Sequence, residues 1–201
     1  MPEDIIKEIQ KRVEKVPVTG GRSNKLGRIS FEDLVFAPAQ LAKRPVDYYR
    51  EKIEAKTIIG KLSQKPIELA TPIIIGAMSF GALTREIKTI LALASALAGT
   101  AENTGEGGML SEDRQFSKYL IAQYSTGRFG FNDEYFQKAD AIEIKIGQGA
   151  KAGAGGFLPG FKVTEEIARV RNMPLGKDIH SPASHLDIKS IDDLRKRIED
   201  L

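Results

Sequence analysis

The sequence has no cysteine and no tryptophan, and only two histidines. Within these 201 residues that excludes disulfides, thiolate metal sites, cysteine nucleophiles and a cysteine-ligated iron–sulfur cluster. The same absence accords with a cytoplasmic protein. His180 and His185 share a proline-containing loop and bring too few ligands for a metal centre, so no metal is expected. Long apolar runs are missing too. The longest, residues 73–78, is interrupted by Gly76 and falls far short of the roughly 18 residues of a membrane span. The start, Met-Pro-Glu-Asp, is acidic, and a secretory signal is not expected. Charge of one sign is scarce: 30 basic residues face 27 acidic ones, a net charge of +3. The two signs interleave over residues 7–15 and 195–200, which reads as solvated helix faces and not as a nucleic-acid patch.

What remains is ordinary for a water-exposed globular chain. Hydrophobic residues make up 41% and charged residues 28%, enough apolar side chain for one sizeable core. Ile5, Ile6, Ile9 and Val13 recur at helical spacing and predict a helix over residues 2–16, ended by Pro17. Residues 19–28 read as a loop, 30–34 as a helical turn, and 52–63 as room for short strands. Residues 1–68 are taken together as a wrapping segment.

From residue 69 the pattern changes. Residues 71–76 form a β-branched run, expected as a strand buried on both faces of a parallel sheet. Thr84 caps a helix to about Leu97, with Ile87, Ile90, Leu91 and Ala94 as its inward face. A short strand is expected at 99–102, a helix from Ser111 to about Gln123, and a third strand at 141–146. Thr164 starts a helix over 165–171, and Ser190 with Asp193 gives a capping-box start to the last helix. Strand, loop and helix thus alternate three times. The fold class is α/β, read as an incomplete (β/α)8 barrel, since about 250 residues are needed to close one.

Glycine and polar residues gather after each expected strand. The first loop is Gly76-Ala77-Met78-Ser79-Phe80-Gly81-Ala82, where glycine lets main-chain groups approach a ligand. The second, Asn103-Thr104-Gly105-Glu106-Gly107-Gly108, places one carboxylate among glycines. The third, residues 145–160, combines Lys145, Gln148 and Lys151 with six glycines, a composition suited to an anion. It is neither a Walker loop nor a dinucleotide fingerprint. Lys145 ends an apolar strand and needs an anionic partner or ligand.

Taken in order, these motifs resemble the FMN-binding domain of glutamate synthase, its N-terminal part only. Met78-Ser79-Phe80-Gly81-Ala82-Leu83-Thr84, Asn103-Thr104-Gly105-Glu106-Gly107-Gly108 and Ile142-Glu143-Ile144-Lys145-Ile146-Gly147-Gln148-Gly149-Ala150-Lys151 are similar to its three loops. Ser125-Thr126-Gly127-Arg128-Phe129-Gly130, Leu158-Pro159-Gly160-Phe161-Lys162-Val163-Thr164 and residues 179–194 continue the match. Asp33-Leu34-Val35-Phe36 and Tyr49-Arg50-Glu51-Lys52 resemble the stand-alone bacterial and archaeal members. The resemblance spans residues 25–201.

It implies an FMN barrel that adds ammonia to 2-oxoglutarate and reduces the imine to L-glutamate. Ala77, Met78, Ser79, Asn103, Lys145 and Gln148 would be cofactor-binding. Lys151 and Arg171 would hold the carboxylates of the oxo acid, and Glu106 would position ammonia or stabilise the iminium; Glu106 and Lys151 are the candidate catalytic residues. The partners implied are an electron donor and a second chain completing the barrel, with the iron–sulfur cluster in that missing part. Two departures stand out. Phe157 occupies a position where glutamate synthases commonly have a glutamine contacting substrate, which leaves the acceptor open. Met1 is followed by Pro2, not by the cysteine of amidotransferase domains, so ammonia is expected from elsewhere. An amine–glutamate transferase subunit and a non-catalytic half-barrel assembly module are the alternatives.

Overall fold

A computed structural model describes residues 31–35, 37, 39, 41–148 and 154–201. The helix expected over 2–16 and the loop over 19–28 lie outside the described residues. So does Lys151.

The described chain opens on a 3-10 turn, Phe31–Asp33, where a helical turn was expected. Strands β1, Thr57–Ile59, and β2, Ile67–Leu69, form an antiparallel hairpin. A three-stranded parallel sheet follows, β3 Ala101–Asn103, β4 Tyr119–Tyr124 and β5 Ala141–Ile144, in the order β3-β4-β5. Helix α1, Arg85–Leu97, precedes β3; α2, Ser111–Phe116, joins β3 to β4; α3, Asp133–Gln137, joins β4 to β5. Parallel neighbours require such crossovers. The C-terminal part adds a second antiparallel pair, β6 Phe157–Leu158 with β7 Ile179–His180, the helix α4, Glu165–Arg171, between them, and α5, Ile191–Asp200. The architecture is mixed α/β with a parallel sheet, and among the described residues no barrel closes.

The helix starts follow the sequence. Thr84 and Thr164 each accept a hydrogen bond from the N–H three residues on, Ile87 and Ile167. Ser190 and Asp193 close the reciprocal box, the Asp193 carboxylate accepting from Ser190 N at 2.9 Å.

Three expectations are corrected. First, the helix from Ser111 stops at Phe116, and residues 119–124 form the central strand β4. Ser117 adopts an extended conformation and its hydroxyl turns back onto the Asp113 carbonyl at 2.5 Å. The apolar run behind it is then buried between two parallel neighbours. Second, residues 71–76 form no regular strand. Ile75 N donates to the Ala101 carbonyl at 2.9 Å on one side, and among the described residues nothing pairs with the other. Ile73 is 69% exposed. Third, α1 turns Lys88, Ala92 and Ser95 inward, while Ile87 and Ile90 face out. A buried ion pair, described below, selects that rotation over the apolar face.

Two cores result. Ile67 and Leu69 pack on Ala101 and Ile121, so the hairpin covers the starts of the parallel strands. Phe80, Leu110, Phe129, Leu158, Val163, Ile167 and Ile179 form the other core, drawn largely from segments that follow the strands. Each large apolar side chain so buried contributes about 1.5–3 kcal/mol. This second core is the floor on which the glycine-rich loops rest.

Candidate functional site

The loops after the sheet's C-terminal ends enclose a cleft of about 940 Å3. This is where parallel α/β sheets bind ligands. The main chain of residues 77–79 forms one wall and the segment after β5 another, with Glu106, Arg171 and Ser181 reaching in.

Glu106 stands on the loop after β3. Gly105 makes its placement possible: its φ is +68°, and a Cβ there would lie 2.5 Å from Ser79 N. Only glycine lets the two loops touch at that point. The Glu106 carboxylate meets Lys145 Nζ at 3.0 Å and accepts from the Ser181 hydroxyl at 3.0 Å, both through Oε2. Its other oxygen lies against Gly156, where a Cβ would come within 2.0 Å of Oε1. The lysine at the end of the apolar strand thus has its anionic partner.

Arg171 is buried at the end of α4. Its Nε and one terminal nitrogen donate to the Phe80 carbonyl at 3.1 and 2.6 Å, and that nitrogen also reaches the Ser79 hydroxyl at 3.4 Å. Among the described residues no carboxylate forms an ion pair with it. Burial lowers the guanidinium's pKa from its ordinary value, and the nearby Glu106 charge works against that. A buried cation held only by neutral oxygens is a place for an anion.

Gln148 lines the cleft with its Oε1 buried and without a hydrogen-bond partner among the described residues. Ala77, Met78 and Ser79 line it as well. Asn103 does not. Its side-chain oxygen accepts from Gly105 N at 2.9 Å, which shapes the loop from beneath. Of the residues singled out in the sequence, the structure therefore brings together Ala77, Met78, Ser79, Glu106, Lys145, Gln148 and Arg171.

Four contributors were not singled out. Gln123 on β4 donates to Glu143 on β5 at 2.6 Å, and both line the cleft. A lone amide inside the buried run of β4 would have pointed to Gln123 had that strand been recognised. Ser181 follows β7 and carried no motif of its own. Lys88 lies below the site, fully buried on α1. Its Nζ donates to Glu102 Oε1 at 2.9 Å and to the carbonyls of Asn103 and Thr104 at 3.2 and 3.5 Å, with Asp113 Oδ1 at 3.5 Å. Lysine thereby anchors the strand end from which the Glu106 loop departs. Burial, only partly offset by Lys88, raises the Glu102 pKa to about 7, and burial raises Asp113 likewise. Phe157, the departure from the family pattern, lines the cleft and stacks on His180 at 4.6 Å between ring centres.

Residues 7–201 match a conserved region in glutamate synthase. A glutamate synthase large subunit-like protein of Rhizobium meliloti is 42% identical over 85% of this chain and 39% of its own length. The archaeal glutamate synthase [NADPH] of Archaeoglobus fulgidus is 37% identical over 94% of this chain and 41% of its own length. The chloroplastic ferredoxin-dependent glutamate synthase of Spinacia oleracea is 39% identical over 80% of this chain and 12% of its own length. The chain spans about two fifths of the first two.

Proposed function

The chain belongs to the glutamate synthase family, and from that premise we propose that it forms the first part of an FMN-binding barrel that reductively aminates 2-oxoglutarate to L-glutamate. Residues 69–201 would supply that part of the barrel and residues 1–68 would wrap it. Further polypeptide, on another chain, would complete the barrel against the exposed side of residues 71–76. The setting would be cytoplasmic; among the described residues no helix is long and apolar enough to cross a membrane.

One observation carries the reading. A carboxylate, its partner lysine and a buried arginine lacking an acidic partner among the described residues converge on one cleft. Glu106 would hold ammonia and stabilise the positive charge of the iminium, a fixed anion facing a developing cation. Arg171 and Lys151 would grip the two carboxylates of the oxo acid, arginine through its fork. The cleft residues fit a flavin: among the described residues Gln148 presents an orphaned acceptor, and a Cβ on Gly147 would meet nothing within 4 Å. Lys145 and Gln148 would sit at its pyrimidine edge and the main chain of residues 77–79 against its rings. When bound there, FMN would supply the hydride that reduces the imine. With no cysteine in the sequence, an iron–sulfur cluster has no thiolate ligands here and would be held by other residues, near the electron donor.

Phe157 favours a second reading. An aromatic cleft wall makes room for an amine–glutamate transferase of the same family, acting on a larger amine. Turnover by the protein assembled with the chain that completes the barrel, comparing ammonia with alkylamines, separates the two. Glutamate formed from ammonia and 2-oxoglutarate supports the first reading, and activity confined to alkylamines overturns it.

A further inference from the structure

We infer that Ser181 is a positioning residue for Glu106, and that residues 181–187 clamp the Glu106–Lys145 pair from the far side of the cleft. The inference rests on the reading of Glu106 as the group that handles ammonia.

The clamp reaches both members of the pair. Ser181 is buried and its hydroxyl donates to Glu106 Oε2 at 3.0 Å. Its own N–H donates to the Gly156 carbonyl at 2.8 Å, fixing it against the loop that touches Glu106 Oε1. His185, stacked on Tyr124, places its Nε2 at 2.7 Å from the Lys145 carbonyl. Between them the Pro182 carbonyl accepts from the Thr126 hydroxyl at 2.7 Å. Beyond them Asp187 accepts from Tyr124 at 2.8 Å and pairs with Arg128 and Arg197. These ties run to β4 and to the segments after β4 and β5.

The consequence falls on the carboxylate. Lys145 alone would leave it free to swing about a single contact. The Ser181 hydroxyl gives Oε2 a second donor from another direction, and Gly156 stops Oε1 from the third side. A carboxylate so held needs no reorganisation when positive charge develops beside it. Serine suits the post because a hydroxyl donates without adding a charge that would compete with a cationic substrate.

The test uses the protein assembled with the chain that completes the barrel, as wild type and as the variants Ser181→Ala and Ser181→Thr. Removing one hydrogen bond to a charged group is expected to lower kcat/KM for ammonia about tenfold. FMN content, the dissociation constant for 2-oxoglutarate and the thermal midpoint are expected to stay near wild type. Ser181→Thr, which keeps the hydroxyl, restores most of the ammonia term. A melting shift in Ser181→Ala that tracks the activity loss, or equal losses in the alanine and threonine variants, overturns the inference, as does an unchanged kcat/KM. A wild-type protein that forms no glutamate from ammonia overturns the functional reading itself, and this inference with it.

Discussion

Lys145 and Glu106 stand 3.0 Å apart across the cleft although they sit on loops after different strands. The pairing explains how a lysine can end an apolar strand, and it holds a carboxylate in place where a cationic intermediate would form. Glu106→Gln preserves the shape and removes the charge. In the assembled enzyme it is expected to lower kcat by about 10²–10⁴, the range typical of a positioned proton-transfer or charge-stabilising group. Binding of 2-oxoglutarate, followed by calorimetry, should be little changed.

Arg171 differs in that it already spends two donors on Phe80 and Ser79. Arg171→Lys keeps the charge but loses the fork. Affinity for dicarboxylic oxo acids is expected to fall about tenfold or more, the scale of one charge-assisted hydrogen bond. Lys151→Ala should act in the same direction. Unchanged oxo acid affinity in both variants would undo the assignment.

Among the described residues Lys88 is the one cation paired with two buried carboxylates, Glu102 and Asp113. Lys88→Met leaves both without it. Breaking a buried pair in this way is expected to cost about 3–5 kcal/mol of unfolding free energy, read by denaturant titration. Loss of the Lys88 contacts to the Asn103 and Thr104 carbonyls should also loosen the Glu106 loop, seen as faster amide exchange there.

The same cluster sets a pH dependence. The folded-state pKa of Glu102 is raised from 4.5 to about 7, so the folded chain holds a proton that the unfolded chain releases. Stability from this group is therefore present below about pH 4.5 and declines as pH rises to about 7. Asp113, also raised, adds in the same sense. Glu102→Gln should flatten the unfolding free energy over that window, measured in parallel with wild type.

Exposed apolar side chains predict how the isolated chain behaves. Ile73, Ile90 and Leu97 are exposed, and residues 71–76 have a hydrogen-bonding neighbour on one side only among the described residues. Unpaired edges and apolar patches invite association. The chain on its own should be oligomeric or aggregate in light scattering, and a sharp monomer peak would count against completion by further polypeptide.

Much of this was legible in the sequence where local chemistry decides. The caps Thr84, Thr164 and Ser190 need only a hydroxyl before a helix, and all three sit where expected. The loops after β3 and β5 lie on one side of the sheet because the strands are parallel, and residues 77–79 meet them there. Legibility ended where tertiary partners choose between local options. The run from Tyr119 to Tyr124 suits a helix or a buried strand equally, and only its two neighbours in the sheet decide. The inward face of α1 looked apolar, yet Lys88 won it because Glu102 and Asp113 wait beneath. Arg171 was read for its charge; its hold on the Phe80 carbonyl depends on a contact no spacing reveals.

The most direct test of the central claim is a flavin titration of the protein assembled with the chain that completes the barrel, followed by visible absorption, with 2-oxoglutarate added at saturation. The account predicts bound FMN whose bands shift on adding the acid, and a shift much reduced in Arg171→Ala. A protein that takes up no FMN, or flavin bands indifferent to the acid in wild type, would contradict it.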